Sequence, residues 1–238
     1  HDEIAYLFQE DDANARYKVS RFDSELNELS SIYASYPRTS VRDEVITIIY
    51  NPMNGRAFFY FYEDEEPNFY EYIFETNTFA QKRDYPDGED GGNVVFSIQD
   101  KLYMGIGKFT DGNNTSENPQ PEAQFWEYDI AMDSWKKRAN FPVNYRNRSR
   151  TSTFVIEGEG YVGNGATSTG QYQFWKFSPQ MNQWTQVEDF PDARNDTSYF
   201  EYENNGYVVF GSTIGGSYRD DVFKYMPELD DWFELERI

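Results

Sequence analysis

Short apolar runs recur along the chain, each closed by Asn, Asp, Gly or Glu, and large side chains alternate with polar ones inside them. In WEYDI (residues 126–130), Trp126, Tyr128 and Ile130 fall on one side and Glu127 and Asp129 on the other. That period of two is the signature of a strand. The runs VITIIYNPMNG, VVFSIQD, FVIEGE and YFEYENN each read as a strand leading into a tight turn. A second strand then follows, at residues 56–61, 101–107, 160–165 and 206–211, with residues 3–8 as its counterpart near the N-terminus. No window carries the 3.6-residue period of an amphipathic helix. The nearest candidate, residues 24–35, reads as a turn and a strand.

The strands belong to a repeat, and the five Trp residues mark it. Trp126 and Trp135 stand nine apart, as do Trp175 and Trp184, and Phe223 and Trp232. Tyr70 and Phe79 keep the same frame with substituted anchors, and Tyr17 and Leu26 are read as its first occurrence. Pro86, Pro142 and Pro191 each come seven residues after a second anchor, whereas Pro37 comes eleven after Leu26. One period is therefore an apolar strand, a turn, a Tyr/Gly strand, a variable loop, an anchor strand, an Asp/Asn-rich turn, a Trp strand and a Pro. The repeats run approximately 1–37, 38–86, 87–142, 143–191 and 192–238, within one domain.

A four-stranded antiparallel unit of this size cannot bury both faces alone, and radial stacking of such units gives a β-propeller. The fold class expected is all-β, with five blades of four strands, the first lacking its inner strand. Two countings stay open: a six-bladed ring in which residues are missing at one end, and a five-bladed ring with a three-stranded first blade. The anchor aromatics then sit between blades, each Trp burying about 150–250 Å².

FSIQDKLYMGIG followed by FWEYDIAMDSWKKRANFP, and FVIEGEGYVGNG with FWKFSPQMNQW, resemble the kelch repeat of secreted kelch proteins of the Bacteroidota. The resemblance is strongest over 87–238. It departs from the family in one respect: the Gly-Gly pair after the second strand appears only as Gly105/Gly107, Gly163/Gly165 or the lone Gly211.

Composition narrows the function classes. Aromatics make up 19% of the 238 residues, which the repeat anchors explain. The formal net charge of -21 opposes a phosphate backbone, so no nucleic-acid partner is expected. No apolar stretch is long enough for a transmembrane segment. Without Cys, and with its one His at position 1, the chain has no disulfide, thiolate or His-based metal centre. No cofactor and no metal are expected. The Tyr–Cys crosslink and His ligands of galactose oxidase, which shares this propeller type, are excluded.

Antiparallel topology places the loops between second and third strands at the same end as the blade-to-blade links. Arg38, Arg42, Arg146, Arg148, Arg150 and Arg194 follow the Pro residues there, and 136–150 holds six of the 21 basic residues. One reading is an anion-binding mouth for a carboxylate, sulfate or acidic sugar. The other is ion pairing that braces the links, which the Pro-x-x-Arg pattern of the resemblance implies for Arg194. Tyr145, Tyr172 and Tyr218 add adaptable contact surface. The polar loop 109–124 and the acidic runs at 10–12 and 63–66 lie at the same end. The PDGEDGG turn (86–92) lacks Ca²⁺-loop spacing. Sequons occur at Asn113, Asn114, Asn147 and Asn195.

The expected function is a non-catalytic binding or scaffolding propeller that takes a protein or glycan partner, as part of a surface assembly. No leader is visible, and the expected location is extracellular, periplasmic or on the outer surface. Two alternatives stand beside it. One is a sialic-acid mutarotase-like isomerase using Arg and carboxylate groups. The other is an intracellular kelch adaptor, which the missing Gly-Gly pairs disfavour.

Overall fold

The structure is a computed structural model describing residues 4–11, 16–23, 28–35, 45–51, 54–63, 66–86, 94–106, 124–142, 151–165, 172–213 and 215–235. Among these residues every regular element is a strand and none is a helix, as the period of two predicts.

The first sheet has three strands, β1 (Ile4–Asp11), β2 (Arg16–Asp23) and β3 (Glu28–Ser35), in that spatial order. Four sheets of four antiparallel strands follow. Sheet two is β4 (Val45–Asn51), β5 (Arg56–Glu63), β6 (Glu66–Ile73) and β7 (Thr78–Gln81). Sheet three is β8 (Val94–Ile98), β9 (Lys101–Gly105), β10 (Phe125–Asp129) and β11 (Ser134–Lys137). Sheet four is β12 (Ser152–Ile156), β13 (Glu159–Gly163), β14 (Phe174–Ser178) and β15 (Gln183–Val187). In sheet five, β17 (Ser198–Tyr202), β18 (Asn205–Val209), β20 (Val222–Met226) and β21 (Asp231–Glu234) pair in sequence. A short ribbon of β16 (Arg194–Asn195) with β19 (Ser212–Thr213), absent from the sequence expectation, stands at its loop end. The strand at 28–35 is the one read from the sequence in place of a helix.

The first two strands of these sheets meet in tight turns of left-handed backbone. Glu157 and Gly158, and Glu203 and Asn204, all have φ near +50° to +80°, the twist that matches flanking antiparallel strands. The first strands of sheets two to five also touch in chain order: β4 packs on β8, β8 on β12, and β12 on β17. Successive four-stranded sheets converging on their first strands form a propeller-like arrangement.

Apolar clusters lie between consecutive sheets, which accounts for the alternation in strands such as β8 and β20. Between sheets three and four, Phe96, Tyr103 and Phe125 meet Val162, Phe177 and Trp184. On the opposite face of sheet three, Leu102, Met104 and Tyr128 meet Phe58, Tyr60 and Phe69 of sheet two. Phe154, Tyr161 and Phe174 meet Val208, Phe223, Tyr225 and Trp232 between sheets four and five. Phe125 and Trp126 thus point into different interfaces, as a period of two requires.

The deepest aromatics are not the first anchors but the residues two further on. Tyr72, Tyr128, Phe177 and Tyr225 are buried, whereas Trp126 and Trp175 are half-buried and their indole N–H groups have no acceptor among the described residues. The first sheet is also out of phase. Tyr17 and Val19 face sheet two, against Phe59 and Phe61, on the side opposite to that taken by Trp126 and Tyr128. A shift of one residue exchanges the faces of a strand, so the anchor frame read at Tyr17 is displaced by one there. Leu26 lies outside the described residues.

The Gly of the Gly-Tyr strands has a packing reason. A Cβ on Gly160 would sit 2.3 Å from the Phe96 ring of the preceding sheet, and one on Gly206 would sit 2.3 Å from Phe154. Only a residue without a side chain lets those rings lie against the strand.

A hydrogen-bonded clasp recurs at three interfaces. After its fourth strand the chain presents one peptide to the next sheet. Asp133 Oδ1 accepts the N–H of Arg83 at 2.8 Å, and Trp135 Nε1 donates to the Arg83 carbonyl at 2.8 Å. Asn182 and Trp184 hold both groups of Ala139 at 2.9 and 3.0 Å. Asp230 and Trp232 hold those of Glu188 at 2.9 and 3.1 Å. Two residues beyond the held peptide, Tyr85, Phe141 and Phe190 pack edge-on against the same Trp at 4.7–5.1 Å between centroids. Asn77, Asp133, Asn182 and Asp230 all have φ between 46° and 55°, the left-handed region that Asn and Asp tolerate best after Gly.

Replacing Trp184 by Phe keeps a ring in place and removes the donor to Ala139. Urea unfolding should show a loss of about 1 kcal/mol, against about 3–5 kcal/mol for Trp184→Ala. A W184F midpoint equal to that of the unaltered chain would show that the indole hydrogen bond contributes nothing.

The clasp between sheets two and three depends on pH. Burial pushes the Asp133 carboxyl up. The Tyr128 hydroxyl, the Arg83 N–H and the charges of Lys82 and Arg83 outweigh burial and hold it below its ordinary value. A folded pKa lower than the unfolded one gives stability that is complete above about pH 4 and is lost as pH falls through the folded value. Asp133→Asn, with an amide as in Asn182, should therefore lose less stability than the unaltered chain between about pH 4 and 2. Parallel acid titration curves would contradict this account.

Candidate functional site

The loops between second and third strands and the links between sheets share one end of the molecule, because each fourth strand runs parallel to the second strand of its own sheet. The described part of this end centres on Arg194. β16 leaves the link after sheet four and pairs with β19, so Arg194 lies opposite Thr213 and Asn195 opposite Ser212. The Arg194 carbonyl accepts the N–H of Gly165 at 3.1 Å, joining the ribbon to the loop of sheet four.

The Arg194 side chain is 1% exposed. Its guanidinium forms a two-pronged pair with Asp221, Nη1 to Oδ1 and Nη2 to Oδ2, the latter at 3.2 Å. Nη1 also donates to the Phe210 carbonyl at 3.1 Å, and Nη2 to Asp192 at 3.4 Å. The cation lies 5.0 Å from the Phe190 ring centre and 5.4 Å from that of Phe223. Asp192 also accepts from Arg219 Nε at 2.9 Å. Arg194, Asp192, Asp221 and Arg219 thus make a chain of alternating charge, the geometry in which Arg surpasses Lys.

Neutral polar groups continue this brace. Ser212 Oγ donates to Asn195 Oδ1 at 2.6 Å, and the Ser152 and Thr197 hydroxyls are 2.7 Å apart. Asn164 is fully buried beside Ser152, and its Oδ1 has no donor among the described residues. Gly211 takes φ 96° where a Cβ would come within 2.7 Å of the Asn195 carbonyl, so no side chain fits at that bend.

On this braced base stand the two described tyrosines that the sequence singles out. Tyr218 is 91% exposed on the turn after β19, and its backbone bridges to Ser212. Tyr172 is 47% exposed, and its carbonyl holds the Phe190 N–H at 2.8 Å. The sequon residue Asn195 has its side-chain oxygen engaged by Ser212. Arg38, Arg42, Tyr145, Arg146, Arg148 and Arg150 lie outside the described residues, as do 109–123 of the long loop and residues 87–92 of the acidic turn.

Reading the sequence missed the partners of Arg194. Asp221 is 27 residues away, and no local spacing announces it. A detectable signal was the Asp or Asn seven residues after Trp126, Trp175 and Phe223, which clasps the neighbouring sheet. Within the described residues no group of His, Asp and Glu side chains is arranged to hold a metal ion. Among the described residues no helix is long and apolar enough to cross a membrane.

Arg194→Ala leaves Asp221 facing a buried site without its cation, and breaking such a pair costs about 3–5 kcal/mol. Denaturant unfolding should show a loss of that size, and Arg194→Lys should recover only part of it, since an ammonium cannot reproduce the two-pronged contact. Full recovery in R194K would mean that charge alone matters.

Set against protein-family models and curated proteins, the chain matches no family model and no curated protein.

Proposed function

We propose that this chain is a non-catalytic, kelch-type binding propeller, secreted or at a cell surface, whose loop end engages a protein or glycan partner. The observation that carries this reading is the contrast at Tyr218. Its side chain is 91% exposed on a turn fixed by the β16–β19 ribbon and by the ion pairs of Arg219, Asp192, Arg194 and Asp221. A large amphipathic side chain presented on a rigid base binds at low entropic cost, because little must be ordered when the partner arrives.

Tyr172 extends the contact surface along the same end. In the sequence, Arg146, Arg148 and Arg150 fall in the link between sheets three and four, a local reversal of sign in a chain of net charge -21. That combination suits a sugar bearing a carboxylate or sulfate, or an acidic protein segment.

Screening the purified chain on a glycan array and in pull-downs from culture supernatant tests the reading. A bound partner should be lost at least 10-fold in affinity on Tyr172→Ala with Tyr218→Ala, with unchanged thermal stability because both residues are exposed. Absence of any partner on either platform would refute the reading, and so would a partner indifferent to the double substitution.

A further inference from the structure

The interfaces on either side of sheet four share one frame and differ in one side chain. Between sheets three and four, the Tyr103 ring lies 5.7 Å from the Phe177 ring at 57°. Between sheets four and five, Tyr161 and Tyr225 stand at 5.5 Å and again at 57°. Beside the first pair sits the guanidinium of Arg138, which follows β11. It donates through Nη2 to the Pro179 carbonyl in the turn of sheet four. It also lies 3.4 Å from Glu127 Oε2 and 5.8 Å from the Phe177 ring centre. The Tyr103 hydroxyl donates to that same Glu127 oxygen at 2.9 Å.

In sheet four the position of Arg138 is taken by Val187, three residues after Trp184 as Arg138 is three after Trp135. The shorter side chain leaves a cleft of about 370 Å³, walled by Tyr161 and Val187 of sheet four and by Tyr225 and Pro227 of sheet five. Pro227 stands where sheet four has Pro179. Every residue lining the cleft is among those described. The volume falls at the small end of ligand pockets, which span about 300–1,000 Å³.

Two observations point to the ligand. The first is Tyr161, which is 3% exposed with its ring stacked on Phe154 at 5.4 Å. Its hydroxyl faces the cleft and has no hydrogen-bond partner among the described residues, because Lys176 stands where sheet three has Glu127. Burial and the charges of Glu159, Asp230 and Glu157 push this hydroxyl up, so it stays neutral and keeps its lone pairs for a donor. The second is charge. Glu157, Glu159, Glu228 and Asp230 line the cleft against one cation, Lys176, which pairs with Glu159 at 2.8 Å. Both donors to Asp230 go to Oδ1, so Oδ2 has none among the described residues.

We propose that this cleft binds the guanidinium of an arginine side chain presented by a basic segment of a partner protein, in the place that the chain's own Arg138 takes one interface earlier. Asp230 Oδ2 and Glu228 accept its N–H groups, the Tyr161 oxygen is a third acceptor, and the Tyr225 ring flanks the cation as Phe177 flanks Arg138. A planar cation with several fixed donors matches acceptors spread over two sheets, whereas an ammonium is a compact and more strongly hydrated charge. The net charge of -21 draws a basic segment toward the chain. The cleft lies at the end that carries the tight turns, opposite the loop end with Tyr172 and Tyr218.

The test titrates the ¹⁵N-labelled full chain with an acetylated, amidated peptide, GSRSG, followed by NMR. Saturable shifts should centre on the turns at 156–161 and 226–230 and on β15. The lysine peptide GSKSG should bind at least 3-fold more weakly, and GSQSG should give no saturable shift. Val187→Arg supplies an internal guanidinium and should weaken binding of GSRSG at least 10-fold. Tyr161→Phe, which keeps the ring, and Glu228→Gln, at an exposed position, should each weaken it at least 3-fold with the melting temperature unchanged. These two decide the matter if Val187→Arg does not fold. The proposal is overturned by an absence of saturable shifts at millimolar peptide, by equal binding of GSKSG or GSQSG, by shifts centred elsewhere, or by binding indifferent to Tyr161→Phe and Glu228→Gln. The tyrosines of the loop end play no part in this titration, so its outcome is independent of the proposed function.

Discussion

A four-stranded sheet with two apolar faces needs a neighbour on each side, and the chain that links the neighbours must cross between them. That crossing takes the backbone out of its own ladder and leaves an N–H and a C=O without a strand partner at the rim of the interface. The clasp resolves this conflict with two side chains of the incoming sheet. Asp133, Asn182 and Asp230 take the N–H of the crossing peptide, and Trp135, Trp184 and Trp232 take its carbonyl. The residue types follow from the geometry. The acceptor stands at the tip of a turn with left-handed backbone, which among residues bearing a side-chain oxygen suits Asn and Asp best. The donor must also fill an apolar slot, and the indole joins a large ring to one N–H. The spacing of seven and nine residues after the first anchor is the length of one strand, one turn and the first residues of the next strand.

With the clasp in place, the inter-sheet clusters follow. Each sheet is held at a fixed distance from the last, so its alternate residues meet a defined surface. The ring pairs show how closely that surface repeats. Phe96 lies 5.4 Å from Tyr103 with the rings 21° apart, and Phe154 stands in the same relation to Tyr161. Phe200 and Tyr207 stack at 4.9 Å and 6°. The Gly at 160 and 206 admits the ring of the preceding sheet at the point of closest approach. A residue that looks like a turn-former in the sequence thus marks a contact between sheets.

Much of this was legible in the sequence because it is local. Strand alternation, the tight turns, and the nine-residue interval between Trp126 and Trp135 all depend on residues within one strand pair. What escaped depends on pairing across sheets. Trp126 and Trp175 look like the principal anchors, yet Tyr128 and Phe177, two residues on, lie deeper, because the strand's inward face is set by the neighbour's shape. In the first sheet Tyr17 matches the anchor pattern and still faces the other way. Its partners Phe59 and Phe61 belong to sheet two, and nothing within residues 16–26 reports them.

Basic residues at the loop end illustrate the same distinction for function. In the sequence, the Arg cluster reads either as an anion-binding mouth or as ion pairing that braces the links, the latter implied for Arg194 by its Pro-x-x-Arg pattern. In space its charge is satisfied by Asp221 and Asp192 at the base of a turn, with the Phe190 and Phe223 rings against it. Such a cation braces the turn that carries Tyr218, and its removal would be felt as lost stability. Rigidity at this end therefore comes from the buried pair of Arg194 with Asp221, while Tyr218 and Tyr172 stand exposed above it. Under the proposed function, bracing and contact rest on different residues, so the contact surface could vary without disturbing the stacked sheets beneath it.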